Sequence, residues 1–294
     1  MNTKSVVKAP VAGCMRWGKW GAGFTTTEYR EMIEACLENG ITAFDHADIY
    51  GDYTTEAEFG AALKEAPSLR AHLRIISKCG IQMVTDNRPA HLVKSYNTSA
   101  QHIISSVERS LEHFGTDHLD LLLIHRPDPL MNPVEVAGAI ELLKQQGKIL
   151  QFGVSNFYPH QAETLMKHTR IEYNQLEISI LHLPPFTNGM LDHCLQYQIV
   201  PMAWAPLGGG ILNDDGHPRF RSIISTATVL AEKYETGVNE ILLAWLHRHP
   251  SGILPVIGTT KIERLIQAKN AAGILLDRDD WFKLLAASTG EDVA

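Results

Sequence analysis

Short apolar runs alternate with amphipathic segments about eight times along the 294-residue chain, and this alternation limits the possible folds more than any other feature. Residues 121–124 are apolar at successive positions, which is typical of a parallel strand buried on both faces. Eight such repeats in a chain near the usual barrel length of ~250 residues predict an α/β fold, a (β/α)8 TIM barrel. A doubly wound open sheet is the alternative. The predicted strands are residues 11–15, 41–45, 73–78, 119–125, 149–155, 171–175, 200–204 and 253–257.

The segments between the predicted strands have the periodicity of helices that cover a core on one side. Residues 29, 32, 33, 36 and 37 are apolar and form one stripe of a helix. Thr25 and Glu28 have the spacing of a capping box before this helix, and Gly40 is suited to end it. The pattern therefore predicts a barrel wrapped by helices.

The chain has no self-similar sequence period, low-complexity tract or long linker, which predicts a single domain over residues 1–294. Two segments stand outside the repeat. Residues 208–221 are rich in Gly, Asp and Pro and are too long for an ordinary connection, so they predict a functional loop. Residues 277–288 predict an added C-terminal helix.

Charge and composition exclude several partners. The chain has 33 acidic and 26 basic residues, a net charge of −7 and no run of five Lys or Arg residues, so nucleic acid and anionic membranes are poor partners. No segment has eighteen uninterrupted apolar residues, and the first twenty residues lack a signal-peptide pattern, which predicts a cytoplasmic protein. The four scattered cysteines form no C-x-x-C pair and are interpreted as reduced packing residues.

Four ionisable residues follow otherwise apolar strands: Asp45, Tyr50, Lys78 and His125. Taken singly, each has a structural interpretation, such as a helix cap, a half-buried aromatic or a salt-bridge partner. In a parallel barrel, however, the ends of the strands meet at one mouth. There, Lys78 would be an unpaired buried cation without Asp45, and its charge is expected to lower the pKa of Tyr50 enough to make it an acid at neutral pH.

These residues lie in motifs that resemble the aldo-keto reductase superfamily over nearly the whole chain. Residues 44–51, Phe-Asp-His-Ala-Asp-Ile-Tyr-Gly, are similar to the signature that runs from its catalytic Asp to its catalytic Tyr. Lys78 matches the family's lysine after the third strand, and residues 123–127, Leu-Ile-His-Arg-Pro, match its histidine motif. The resemblance implies a catalytic tetrad of Asp45, Tyr50, Lys78 and His125, with Tyr50 as proton donor.

The same resemblance implies NADPH as cofactor. Residues 153–157 and 173–175 are similar to the segments whose Ser, Asn and Gln hold the nicotinamide carboxamide, and Trp204 takes the place of the aromatic that stacks on the ring. The glycines at 208–210 and the segment from 255 to Arg264 resemble the phosphate sites. Each group also has an alternative interpretation: capping turns for Ser155 and Asn156, a flexible turn for the glycines, and a core position for Trp204. The predicted cofactor residues are Gly13, Met15, Arg16, Asp45, Ser155, Asn156, Gln175, Trp204, Ala205, Pro206, Leu207, Gly208, Gly209, Gly258, Thr259, Thr260 and Arg264.

The sequence therefore predicts an NADPH-dependent oxidoreductase that reduces a small aldehyde or ketone to an alcohol, without a metal. Trp17, Trp20, Tyr53 and the loop 208–221 are candidates for contacting the substrate, and Arg16 is another. One alternative is a non-catalytic NADP(H)-sensing auxiliary subunit, as found in a potassium-channel branch of the superfamily. A second is a metal-dependent TIM-barrel hydrolase, which is disfavoured because the close pair His247 and His249 follows a predicted helix.

Overall fold

Eight parallel strands form a closed barrel in the computed structural model, which describes residues 10–213 and 218–292. The barrel closes because the first strand pairs with both the second and the last. The predicted (β/α)8 TIM barrel is therefore confirmed. In chain order the barrel strands are β1 (Val11–Gly13), β2 (Ala43–Asp45), β3 (Arg74–Cys79), β6 (Leu119–Ile124), β7 (Ile149–Ser155), β8 (Tyr173–Glu177), β9 (Val200–Trp204) and β10 (Leu254–Ile257).

Helices surround the barrel, and their ends follow local sequence signals. Thr25 and Glu28 form the predicted capping box at the start of α1, and Gly40 has the left-handed φ of 71° after its end. The predicted C-terminal helix is α11, which begins one residue after Asp277. The helices are α1 (Thr26–Glu38), α2 (Tyr50–Tyr53), α3 (Thr55–Glu65), α4 (Ala100–Phe114), α5 (Pro133–Gln145), α6 (Pro159–Met166), α7 (Met190–Tyr197), α8 (Pro218–Lys233), α9 (Val238–His247), α10 (Ile262–Ala271) and α11 (Arg278–Thr289).

The barrel interior is apolar in its middle and polar at its mouth, the end where the strands finish. Side chains two positions apart on a strand point to the same face, so both kinds of residue face the interior. A cluster of buried apolar residues from several barrel strands fills the interior. In four strands, the residue two positions after an apolar interior residue is polar and lies at the mouth. The pairs are Ala43 and Asp45, Ile76 and Lys78, Leu123 and His125, and Tyr173 and Gln175.

Three features differ from the sequence-based expectations. The first strand ends at Gly13, because residues Cys14–Arg16 turn into a 3-10 helix. An antiparallel hairpin of β4 (Ile81–Gln82) and β5 (Ser95–Tyr96) follows β3, and its two-residue strands are too short to give a periodic pattern. The predicted loop 208–221 contains 3-10 turns at Gly208–Asn213 and the start of α8, while its residues 214–217 lie outside the described residues.

All four cysteines are buried and free, as expected for packing residues. In the two described ranges, no helix is both long enough and apolar enough to cross a bilayer.

Candidate active site

Lys78 is the centre of a buried hydrogen-bonded chain at the mouth of the barrel. Its Nζ donates to Asp45 Oδ2 at 2.7 Å, to the His46 carbonyl at 2.7 Å and to Tyr50 Oη at 3.0 Å. These three bonds use all three protons of the ammonium group. Because Tyr50 Oη accepts from Lys78, the phenol's own proton is left to donate elsewhere. The predicted pairing of Lys78 with Asp45 is therefore confirmed in this geometry.

Tyr50 is held at the mouth by a tight turn and by its aromatic neighbours. It begins α2, in which Gly51 and Asp52 have left-handed φ angles of 61° and 59°. Its ring centroid lies 6.1 Å from that of Trp20 and 6.1 Å from that of His125. Trp20 is fixed in turn, since its Nε1 donates to Asp52 Oδ1 at 3.1 Å. The turn thus places a phenol, an indole and an imidazole together.

Burial raises the pKa of Tyr50, while the charge of Lys78 acts in the opposite direction without outweighing it. The expectation of a lowered pKa is wrong for this site. The free energy lost when the phenolate is removed from water exceeds the stabilisation that one neighbouring cation provides. Tyr50 is consequently protonated at neutral pH. This is the form that a proton donor needs, and Lys78 is positioned to stabilise the phenolate once the proton has left.

Lys78 is charged at neutral pH, whereas His125 is neutral. Burial disfavours the charge of Lys78, but Asp45 and Tyr50 outweigh burial and raise its pKa, so it remains a cation. Burial, assisted by the charges of Lys78 and Arg126, holds the pKa of His125 well below its usual value. His125 Nδ1 has no hydrogen-bond partner within the described part of the chain. A neutral imidazole at this position can bind a substrate oxygen.

A second hydrogen-bonded chain joins the predicted carboxamide residues to Trp204. Trp204 Nε1 donates to Asn156 Oδ1 at 3.1 Å, and Asn156 Nδ2 donates to Ser155 Oγ at 2.9 Å. The Ser155 hydroxyl donates to the Gln175 carbonyl at 3.0 Å. Gln175 Nε2 reaches Asp45 Oδ1 at 2.8 Å, which links this chain to that of Lys78. Trp204, Asn156, Ser155, Gln175 and Asp45 therefore form one connected site on four strands of the barrel, β2, β7, β8 and β9, or directly after them.

Glycines create open backbone surfaces near the ends of β1, β9 and β10. A Cβ on Gly13 would lie 3.3 Å from the Cα of Gly258, so the two backbones pass close to each other. At Gly209 and Gly258 a Cβ would meet no atom of the described residues within 4 Å. Residues 205–208 form a tight turn, in which the Gly208 amide donates to the Ala205 carbonyl at 2.8 Å; Pro206 and Leu207 lie within it.

The remaining predicted cofactor residues lie at the edges of this region. Met15 and Arg16 are exposed in the 3-10 turn after β1. Thr259 is buried and its Oγ1 accepts from the Lys261 amide at 3.2 Å, while Thr260 is half-buried. Arg264 is exposed in the first turn of α10 and makes no side-chain hydrogen bond or ion pair with the described residues.

Trp17 cannot contact a substrate in this structure, and that expectation is wrong. Its side chain is fully buried against Phe24, Tyr29, Phe44 and Phe59. Its Nε1 donates to the Thr259 carbonyl at 2.8 Å, which satisfies its polar atom. Trp17 therefore ties the start of the chain to the end of β10.

No group of three or more His, Cys, Asp or Glu side chains within residues 10–213 and 218–292 is arranged to hold a metal ion. His247 ends α9, which leads back to the start of β10, and His249 Nδ1 bonds to Ser251 Oγ at 2.8 Å. The pair therefore lies at the barrel face opposite the site.

Comparison with known proteins assigns the chain to a family. The model of the aldo/keto reductase family matches residues 11–288. The chain belongs to this family. The Escherichia coli oxidoreductase YdhF is 44% identical over 96% of this chain and 94% of its own length. The 6-dehydroglucose reductase of Agrobacterium fabrum is 41% identical over 95% of both chains.

A solved structure of a family member is also similar. The aldo/keto reductase from Klebsiella pneumoniae, solved in complex with NADP and acetate, superposes with a TM-score of 0.77. It is 25% identical, with 95% of this chain and 90% of that chain covered. The present aldo/keto reductase is therefore an oxidoreductase with the fold of that enzyme.

Sequence reasoning missed one residue of this reductase's site. Arg126, directly after His125, donates from Nη1 to the His125 carbonyl at 2.8 Å and to Ser155 Oγ at 3.2 Å. The sequence signal for Arg126 is a cation directly after an apolar strand, but the histidine motif by itself does not assign this residue a role.

His46, beside the catalytic candidates, leads to a prediction about pH and stability. Its ring is fully buried between Phe59 and Phe114, at centroid distances of 4.6 and 5.0 Å. Burial, followed by the charge of Lys78, lowers its pKa to about 3. An unfolded His binds a proton near pH 6.5, so His46 should reduce the free energy of unfolding by about 1.4 kcal/mol per pH unit below that pH.

Urea unfolding at pH 7, 6 and 5 measures this effect. His125 acts in the same direction, because its pKa is also lowered, and its contribution is common to both proteins compared. His46→Phe should lose less stability than the wild type as the pH falls, while the two should run parallel above pH 7. Equal losses between pH 6.5 and pH 5 would contradict the assignment.

Proposed function

We propose that this reductase converts aldehydes or ketones to alcohols with NADPH, using Tyr50 as the proton donor. The observation that carries the proposal is the chain from Asp45 through Lys78 to Tyr50 Oη, which leaves the phenol's proton free at the barrel mouth. Membership in the aldo/keto reductase family supports it, as does the NADP in the Klebsiella pneumoniae enzyme.

The residues present fit such a cofactor. Ser155, Asn156 and Gln175 present hydroxyl and amide groups at the strand ends, which suit a neutral carboxamide, and the part-exposed Trp204 suits the face of an aromatic ring. The open backbone at Gly209 and Gly258 admits phosphate groups closely. The exposed Arg264 at the start of α10 suits the additional phosphate of NADPH, because a helix N-terminus favours anions.

Four side chains carry the proton chemistry in this proposal. Bound NADPH supplies the hydride. Tyr50 donates its proton to the carbonyl oxygen, and the resulting phenolate lies 3.0 Å from the ammonium of Lys78. Asp45 keeps Lys78 charged, since its carboxylate lies 2.7 Å away. Neutral His125 donates a hydrogen bond that orients the carbonyl oxygen.

A single-turnover experiment separates this proposal from a cofactor-sensing role. Protein loaded with NADPH is mixed with a panel of aldehydes and ketones, and NADPH absorbance is followed by stopped flow. We expect oxidation at a rate that rises with carbonyl concentration, together with formation of the alcohol. Tight NADPH binding without oxidation by any member of the panel would favour the sensing alternative.

Arg264 leads to a prediction about cofactor choice. The 2′-phosphate of NADPH should form charge-assisted hydrogen bonds with Arg264 that NADH cannot form, each contributing ~1.5–3 kcal/mol. NADPH should therefore bind at least about tenfold more tightly than NADH, and Arg264→Ala should reduce this difference.

Lys269→Ala is the matched control, since it removes one cation from the last turn of the same helix. Fluorescence titration with both cofactors measures the dissociation constants. The prediction fails if the unaltered protein binds NADH and NADPH equally, or if Lys269→Ala reduces the preference as much as Arg264→Ala does.

A further inference from the structure

Arg126 extends its side chain into the mouth of the barrel beside the catalytic candidates. Its Nη1 is anchored on the His125 carbonyl and on Ser155 Oγ. Its Cζ lies 5.9 Å from the ring centroid of Trp204. The half-buried guanidinium group thus lies between the end of β6, which carries His125, and the indole at the end of β9.

The charge of Arg126 is not neutralised by the described residues. Within residues 10–213 and 218–292, no carboxylate lies within 4 Å of it, whereas buried Lys78 has Asp45 at 2.7 Å. Glu177, which interacts with Arg126 over a longer distance, instead has His182 Nδ1 at 3.9 Å. Partial burial of an unpaired cation is unfavourable, so this arrangement favours an anion supplied from outside.

Arg126 also has unused hydrogen-bond donors. Both of its hydrogen bonds to described residues come from Nη1, which leaves the Nε and Nη2 protons for another group. A guanidinium edge matches the two oxygens of a carboxylate, with which it forms short, charge-assisted bonds. The anchoring bonds fix its orientation, which reduces the entropy lost on binding.

We propose that Arg126 binds a carboxylate group of the carbonyl substrate, so that the preferred substrates are aldehydes or ketones that carry a carboxylate. This inference rests on the proposed carbonyl reduction and specifies its substrate class. Arg126 acts here as a specificity-determining residue, since it holds the substrate by a group away from the reacting carbonyl. The distance between carboxylate and carbonyl should determine which acid fits best.

Matched substrate pairs test the proposal. Succinic semialdehyde is compared with butanal, and 4-carboxybenzaldehyde with 4-methylbenzaldehyde, each as a ratio of kcat/KM values with NADPH. We expect the carboxylate to raise kcat/KM at least about tenfold in the better pair, mainly through KM. Arg126→Gln should reduce that ratio toward one, and Arg126→Lys should retain part of it. Because each ratio is measured within one variant, differences in folded fraction cancel.

The binding of an unreactive acid provides an independent readout. Calorimetry of the NADP-loaded protein with butanoate and with butanamide should show binding of the acid, and Arg126→Gln should weaken it at least about tenfold. This binding measurement tests Arg126 even if the protein reduces no aldehyde. Failure to reduce any aldehyde would count against the proposed function and not against the role of Arg126. Weaker NADPH binding in Arg126→Gln with an unchanged substrate ratio would overturn the inference and assign Arg126 to the cofactor. Ratios near one in the wild type, with the neutral aldehydes reduced, would also overturn it.

Discussion

Replacing Tyr50 with Phe should lower kcat for carbonyl reduction by at least ~100-fold, because a positioned general acid contributes on this scale. The substitution removes one oxygen atom, which now accepts a hydrogen bond from Lys78 at 3.0 Å. The ring, its neighbours and the proposed cofactor residues are left in place. NADPH affinity should therefore be nearly unchanged, and the defect should appear in single-turnover rates with saturating cofactor.

Tyr29→Phe is a suitable control for Tyr50→Phe. Tyr29 lies in α1, and its hydroxyl donates a hydrogen bond to Glu58 Oε2 at 2.9 Å. Loss of that hydroxyl removes one structural bond without touching Lys78. Tyr29→Phe should keep most of the single-turnover rate. A near-normal kcat in Tyr50→Phe would exclude Tyr50 as the proton donor.

Lys78→Met should impair both activity and stability. Without the ammonium, the phenolate formed from Tyr50 loses the cation at hydrogen-bond distance, so kcat should also fall at least ~100-fold. The Asp45 carboxylate, which is 3% exposed, would lose its charged partner and, among the described residues, keep only its bond from Gln175. Breaking a buried ion pair from one side typically costs ~3–5 kcal/mol, which urea unfolding can measure.

The double variant Asp45→Asn/Lys78→Met separates these two effects. It removes the uncompensated charge while keeping an acceptor for Gln175, so it should recover much of the stability lost in Lys78→Met. Activity should not recover, since the cation is still absent. If the single and double variants were equally unstable, the broken ion pair between Asp45 and Lys78 would not be the source of the lost stability. If activity returned in the double variant, Lys78 would not act on Tyr50.

Three of the catalytic candidates, Asp45, Lys78 and His125, could be found in the sequence because the periodicity of their strands places them together at the mouth of the barrel. Apolar residues such as Ile76 fill the barrel, and two positions later the same face presents Lys78 at the mouth. This placement can be predicted without knowing the conformations of the loops. It depends on the alternation of side chains along a strand and on the parallel order of the barrel.

The role of Trp17 could not be predicted in this way. In the sequence, Trp17 stands beside a strand end, like a residue that contacts a ligand. In the structure it packs against four aromatic rings and is fully buried. Phe44 lies on β2 and Phe59 on α3, so their contact with Trp17 depends on how α3 packs on the barrel.

By itself, the sequence determined the barrel, the capping of α1 and the placement of Asp45, Lys78 and His125 at strand ends, because each depends on local periodicity or short-range hydrogen bonds. Tertiary structure alone decided the pKa of Tyr50 and left Arg126 without a carboxylate partner among the described residues. Both depend on the depth of burial and on which charges lie within a few ångströms. Such distances between residues far apart in the chain exist only once the barrel has closed.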